Sequence, residues 1–276
     1  MKTLLRLFSI PLLFLISFTV QAGLVLHYDF ENDSSNAGTL GDTHDGSIFG
    51  DAFYSQGVDT GSSLNLGTDG YMTIPNLILG DLITIAAWVN IGPGDTSIQT
   101  ITSTRHSGGG ARGVFFYVNH WNTNPGDRRL ELETSDGSGG NPGPYDTART
   151  PHAVVGDDWH HVTLTMDRLT KDVQFFVDAV EILKQLSSFD DLFTDNLSIT
   201  IGQVTPTLNM GRFVGSIDDY RVYDTVLNQS EISNIVNGAQ VPEPRMLFLI
   251  LFFFLSMLAW KHNMKEKDKG SFPGIA

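Results

Sequence analysis

Glu131 and Glu133 stand two apart in the run Glu131-Leu-Glu133-Thr-Ser-Asp136. Residues two apart on an extended strand point to one face. Two carboxyls held about 5 to 5.5 Å apart can divide a glycoside cleavage between them, one as nucleophile and one as acid. Asp136 would fall on the opposite face unless a bulge intervenes. The other reading of the same residues is a solvated strand face, with Leu130 and Leu132 turned inward.

Two Gly-rich regions flank this run. One extends from Arg105 to Gly113. The other runs from Asn119-His120-Trp121 through Pro144-Tyr145 to His152, interrupted by the Glu131 strand. Long loops on a compact scaffold commonly carry contacts to ligands. Trp121 and Tyr145 offer ring planes on which sugars stack, and Arg105, Asn119 and His120 can bond hydroxyls. The alternative is that Trp121 packs over a sheet edge. His160 and His161 are adjacent on an expected strand, so they point apart. No His-Glu-x-x-His occurs, and neither histidine has the spacing of a zinc ligand.

These residues need elements to hold them. Trp159-His-His-Val-Thr-Leu-Thr-Met166 alternates, with Val162, Leu164 and Met166 on one face. Val173, Phe175 and Val177 repeat the pattern after a polar turn, which predicts an antiparallel hairpin around 167–172. Leu82 to Val89 is apolar on both faces, as a central strand requires. Leu24–Phe30, Ser63–Leu66, Gly113–Val118, Arg129–Glu133, Ser198–Gly202 and Phe213–Tyr223 add further strands. Asn228-Gln-Ser-Glu231 has the form of a helix capping box, with Leu227 and Ile232 at the staple positions and Ile232, Ile235 and Val236 as the apolar stripe. Many strands and one short helix predict an all-β sandwich of two sheets. No repeat or linker divides residues 23 to 238.

Charge narrows the partners. Residues 23–240 hold ten Lys and Arg against twenty-eight Asp and Glu, a formal charge near −18. A nucleic-acid binder needs a basic stripe, so phosphate backbones are excluded. The chain has no cysteine, which excludes thiol catalysis and Cys-ligated metals.

The two ends read as targeting segments. Lys2 and Arg6 precede an apolar stretch from Leu7 to Val20, and Val20-Gln21-Ala22 places small residues before Gly23. This predicts a signal peptide over 1–22, cut after Ala22 by signal peptidase. Met246 to Trp260 is uncharged and reaches roughly 22 Å as a helix, a short transmembrane segment. Lys261, Lys265, Lys267 and Lys269 follow it, which keeps that flank in the cytoplasm and the body outside. An ordinary C-terminal anchor is one reading of this end.

Val241-Pro242-Glu243-Pro244, a short apolar span and a basic tail, in that order, resemble a PEP-CTERM sorting signal over 241–276. Arg245 follows the motif directly, and the basic tail is longer and more mixed than usual. The resemblance implies an exosortase as processing enzyme, with loss of the tail near Pro242, Glu243 and Pro244. It also implies an inner-membrane-tethered intermediate, then the cell surface or exopolysaccharide matrix of a Gram-negative bacterium.

Residues 23–240 carry a second resemblance. Leu26-His-Tyr-Asp-Phe30, Ile83-Thr-Ile-Ala-Ala-Trp-Val89, Trp159-His-His-Val162, Phe175-Phe-Val-Asp178, Ile199-Thr-Ile-Gly202 and Phe213-Val-Gly-Ser-Ile-Asp-Asp-Tyr-Arg-Val-Tyr223 occur in order. Together they resemble the LamG-like jelly roll of the concanavalin A-like lectin/glucanase superfamily. Asp178-Ala179 stands where that family usually has Asp-Gly. Laminarinase-type glycosidases of the superfamily carry Glu-x-Asp-x-x-Glu on one strand, and here the order of acid types is reversed. The resemblance also implies one structural Ca²⁺ pinning the N-terminal loop to the last strand. The matching residues are Asp33 and Asn36 in Asp33-Ser-Ser-Asn36, together with Asp218 and Asp219. These residues serve equally as Asx-turn formers without a metal.

The leading expectation is a non-catalytic surface module that binds carbohydrate of the envelope or matrix. A laminarinase-type hydrolase using Glu131 and Glu133 is the enzymatic alternative. A protein-binding adhesive protein is the third.

Overall fold

The computed structural model describes residues 23–77, 80–92, 97–105, 113–121, 126–135, 146–186, 197–207 and 210–238. Ala22, Asp136, Tyr145, the Pro242-Glu243-Pro244 motif and the apolar segment 246–260 lie outside them. Among the described residues no helix is long and apolar enough to cross a membrane.

Fifteen strands are described, with one α-helix. The N-terminal part holds β1 (Leu24–Tyr28), β2 (Ser47–Phe49), β3 (Phe53–Gln56), β4 (Ser62–Asn65), β5 (Tyr71–Leu77) and β6 (Leu82–Ile91). The middle holds β7 (Gln99–Ser103), β8 (Gly113–Val118), β9 (Leu130–Ser135) and β10 (Asp146–Arg149). Then follow β11 (His160–Asp167), β12 (Asp172–Val177), β13 (Val180–Leu186), β14 (Leu197–Ile201), β15 (Gly215–Tyr223) and helix α1 (Gln229–Val236). One sheet runs β13-β12-β11-β6-β15-β4-β3, with β1 also on β15, and the other runs β10-β9-β8-β7-β14-β5-β2. All the paired strands are antiparallel. The chain is an all-β sandwich of jelly-roll type.

The expected hairpin is present, with Val162 opposite Val177, Leu164 opposite Phe175 and Met166 opposite Val173. All six enter the main core between the sheets. Phe116 of β8 stacks on Phe175 of β12 across that core, with ring centroids 5.8 Å apart. The Tyr220 hydroxyl meets Thr102 at 2.9 Å, tying β15 to β7 of the opposite layer. Strands β2, β3, β5, β7, β10 and β13 were not expected. Most are short or sit at sheet margins, where mixed polar and apolar residues leave a weak alternation.

Each sheet also buries part of its outer face. Phe176, Tyr223, Leu227, Ile232 and Ile235 form a cluster between the first sheet and α1. Ile98, Phe115, Tyr117 and Val204, with Trp121 packed against them, form another outside the second sheet. This second covering explains why β8 reads Gly-Val-Phe-Phe-Tyr-Val with no polar face. All six of its residues are buried.

Two local devices fix the margins. The β12–β13 turn holds Asp178 at φ 49° and Ala179 at φ 63°. Two-residue hairpin turns need positive φ at both positions, so Ala179 carries strain that glycine would not. At the other margin, the Asn228 side chain accepts from the Ser230 and Glu231 amides at 2.9 and 3.1 Å. Glu231 in return accepts from the Asn228 amide at 2.8 Å. The capping box thus starts α1 directly over its apolar cluster. Asn228→Ala should lower unfolding free energy by about 1 kcal/mol in urea titrations, the usual worth of such a cap. An unchanged midpoint would mean that packing alone seats the helix.

Candidate functional site

Glu131 and Glu133 share one face of β9, as their spacing requires. Glu133 lies opposite Phe115, and Glu131 opposite Tyr117, on β8. Directly opposed residues share a side of the sheet, so these four belong to the outer surface, while Leu130 and Leu132 enter the main core. The solvated reading of this face is corrected: Glu131 is 2% exposed and Glu133 4%.

Glu133 is met by three donors. Arg105 Nη2, just past β7, donates to Oε2 at 2.5 Å. The Tyr117 hydroxyl and the Trp121 indole N–H both donate to Oε1 at 2.6 Å. Such charge-assisted bonds are shorter and stronger than neutral ones. The Arg105 guanidinium also lies 4.8 Å from the Phe115 ring centre. Burial, followed by the neighbouring Glu133 and Glu131 charges, pushes the Tyr117 phenol well above its ordinary range.

Glu131 has a different setting. His120 Nδ1 lies 2.7 Å from its Oε2, with the imidazole 37% exposed above a carboxyl that is 2% exposed. Burial raises the Glu131 carboxyl above the usual range, and the His120 hydrogen bond only partly opposes this.

The remaining expected contacts divide. Trp121 neither stands free nor caps a sheet edge. It tilts against Phe115 at 6.1 Å and meets Tyr117 edge-on at 6.3 Å, half-buried. Asn119 is a correction: it is fully buried at φ 69°. Its Oδ1 accepts from the Arg128 amide and its Nδ2 donates to the Ser97 carbonyl, both at 2.8 Å. It clamps a loop and presents no group to a ligand. Phe115 and Tyr117 were missed because an unbroken apolar strand hides which residues face outward. His160 and His161 do point apart. His160 pairs with Asp178 at 2.8 Å. His161 is buried beside Trp88, and burial pushes its imidazole down to about 4.

A second feature lies on the other sheet, where β15 bulges between Asp218 and Arg221 opposite β6. Asp219 adopts φ 47° there. A 310 Å³ cleft beside it is lined by Asp29, Glu31, Asp59, Asp218, Asp219, Trp88 and the end of α1, among others. Asp219 contacts His27 and Arg221, each at 2.7 Å. Burial alone would raise its carboxyl, but these partners hold it below the ordinary value. Asp218 is pushed up to about 6, first by burial and further by the charges of Asp219 and Glu31. The amides of Val58 and Asp219 oppose that shift. Asp33 and Asn36 do not line the cleft. Asp33 accepts from the Ser35 amide at 2.9 Å, an Asx turn. Asn36 Oδ1 accepts from the His27 and Gly38 amides at 2.9 Å each. Among the described residues no three His, Cys, Asp or Glu side chains converge as a ready metal cage.

Comparison with known proteins follows from this geometry. A laminin G family model, described as the concanavalin A-like lectin/glucanases superfamily, matches residues 66–233, more than half of the chain. The chain belongs to the concanavalin A-like lectin/glucanases superfamily. Its match spans β5 to α1, so it includes both the Glu133 cluster and the β15 bulge. Mouse usherin is 33% identical to this superfamily member over 95 residues, 32% of the chain and 2% of usherin. Among solved structures, domain 4 of AbnA is similar at TM-score 0.62 and 22% identity, over 78% of this chain and 99% of that domain. AbnA is an extracellular arabinanase from Geobacillus stearothermophilus, and that domain was solved with arabinotriose. The receptor binding domain of botulinum neurotoxin C/D mosaic serotype is similar at TM-score 0.58 and 12% identity, over 78% of this chain and 51% of that one. The binding domain of botulinum neurotoxin DC, solved in complex with SialylT, is similar at TM-score 0.57 and 12% identity, over 80% and 51%. These likenesses are of fold, in a superfamily that includes both lectins and glucanases.

Removing one partner of a buried ion pair strands the other charge. Arg105→Ala should therefore cost about 3 kcal/mol of stability, from the usual penalty for breaking such a pair. Urea titration measures it, and a loss below about 1 kcal/mol, the range of exposed pairs, would show that Glu133 is not sealed from water.

Proposed function

We propose that this protein is a non-catalytic carbohydrate-binding module displayed outside the cell. A glycan rests on the half-exposed Trp121 and is bonded by groups around His120. The observation that carries this reading is the indole held at 2.6 Å by a buried carboxylate, which fixes an aromatic plane at the margin of the second sheet. A fixed plane stacks on a sugar ring with little further loss of freedom. Binding of arabinotriose by AbnA domain 4, a protein of like fold, supports it. Export rests on the leader ending at Ala22, cut by signal peptidase. Sorting rests on the Pro242-Glu243-Pro244 segment, with an exosortase acting on a membrane-tethered form.

Glycosidase chemistry is the second reading. One specific observation favours it: two carboxyls share a face, and that of Glu131 is raised. Against it, Glu133 already accepts three hydrogen bonds and has little capacity left to act as a nucleophile.

Polysaccharide retention, with reducing-end release run in parallel, separates the two. The protein should be recovered from the cell surface beginning at Gly23. Trp121→Ala should weaken retention at least about tenfold, since stacking residues dominate small interfaces, while the melting transition stays cooperative. Sugar release that disappears in Glu131→Gln would establish the enzyme instead.

A structural Ca²⁺ is part of the proposal. Its donors would be Asp218 and Glu31 with backbone oxygens of the adjoining loop, in place of Asp33 and Asn36. Hard carboxylate oxygens suit this ion, and its charge would relieve the repulsion that raises Asp218. It would pin the segment after β1 to β15 and supply no reaction chemistry. The sign follows from linkage. A raised carboxyl stabilises the metal-free fold below about pH 4, and that contribution is lost as pH rises through about 6. Calcium needs Asp218 ionised, so its stabilisation should be large at pH 7.5 and small at pH 5. Melting temperatures with Ca²⁺ and with EDTA test this, and equal shifts at both pH values would exclude Asp218 as a donor. His161 acts oppositely, because its depressed imidazole favours the fold above about pH 6.5 and loses that contribution as pH falls through about 4. The calcium difference must therefore be compared at fixed pH.

A further inference from the structure

We propose that the Trp121 face selects neutral, hydroxyl-rich glycans and rejects acidic ones such as uronates and sialates. The inference rests on the carbohydrate-binding reading and names its ligand class.

The argument is a charge inventory. Recognition of a sugar carboxylate calls for a guanidinium or ammonium turned toward the ligand. On this face the cations are already engaged by protein carboxylates. Arg105 is bonded to Glu133 at 2.5 Å, and both side chains are only 6% exposed. Its guanidinium lies over Phe115, inside the cluster and away from the rim. His120, the exposed imidazole, contacts Glu131 at 2.7 Å. Arg149 lies directly opposite Glu131 on β10, where its charge also acts on that carboxyl. Among the described residues, Arg105 and Arg149 therefore balance Glu131 and Glu133, and no surplus positive charge remains. An incoming carboxylate would meet two acidic groups beneath the aromatic plane. A neutral sugar would meet the same plane without repulsion, with polar groups around His120 and Glu131 to bond its hydroxyls.

The formal charge near −18 on residues 23–240 repels polyanions as well. That effect is long-ranged and is screened beyond about 8 Å at physiological ionic strength. At such salt the local set decides, which makes the proposal separable from simple net charge.

The test is binding of the full chain to immobilised neutral polysaccharides (arabinan and laminarin) and acidic ones (alginate and polygalacturonate) at physiological ionic strength. At least one neutral polymer should be retained about tenfold more tightly than either acidic one, a difference of about 1.4 kcal/mol. Glu131→Gln preserves shape and removes one charge from the face, and should raise retention of the acidic polymers severalfold. Glu181→Gln makes the same change of charge on exposed β13 and should leave retention unchanged. Preferential retention of an acidic polymer would overturn the selectivity and leave the binding reading standing. Equal gains in the two variants would assign the discrimination to net charge and overturn it likewise. Retention of neither class would remove the binding reading and this inference together.

Discussion

A carboxylate taken out of water survives only where donors replace the water it lost. Glu133 is such a group, and the second sheet is organised around satisfying it. Its three donors come from three places along the chain: Arg105 after β7, Tyr117 within β8 and Trp121 beyond β8. Each donor is fixed in turn by the carboxylate it serves. The indole of Trp121 therefore has a set orientation, and Arg105 is turned inward onto Phe115. The chemistry of the face follows from that single buried charge.

The sandwich makes this arrangement possible by placing β7, β8 and β9 side by side. Their inner residues close the main core, and Phe116 stacking on Phe175 joins the two layers. Their outer residues are then held by strands that cannot slip, because a shift of one residue would turn the whole apolar set to the wrong side. The other sheet uses the same principle with a different covering, helix α1, and with a bulge in β15 that turns Asp218 and Asp219 toward an acidic cleft. One fold thus carries two outward sites. Charge is neutralised by protein partners in the first and is left partly unrelieved at Asp218 in the second.

Much of this was legible before any coordinates. The alternation in β11 and β12 fixed their register, and Asn228 with Glu231 announced the start of α1, because both signals are local. The shared face of Glu131 and Glu133 was legible for the same reason. Their burial was not. It depends on Arg105, twenty-eight residues from Glu133, and on packing by Trp121 that strand periodicity does not encode. Asn119 illustrates the opposite error: its residue type suits a sugar hydroxyl, yet a positive φ and two loop bonds draw it inward. The acidic cleft was half legible. Asp218 and Asp219 were identified, but Asp29 and Glu31 line it in place of Asp33 and Asn36, since Asx turns engage the latter pair locally.

The central claim is that a glycan rests on Trp121. Its indole N–H gives a distinct resonance in a ¹⁵N-labelled sample, separable from those of Trp88 and Trp159. Titration with a neutral oligosaccharide should shift the Trp121 signal saturably while the Trp88 signal, beside the acidic cleft, stays in place. A saturable shift at Trp88 with Trp121 unmoved would put the ligand on the other sheet and contradict the account.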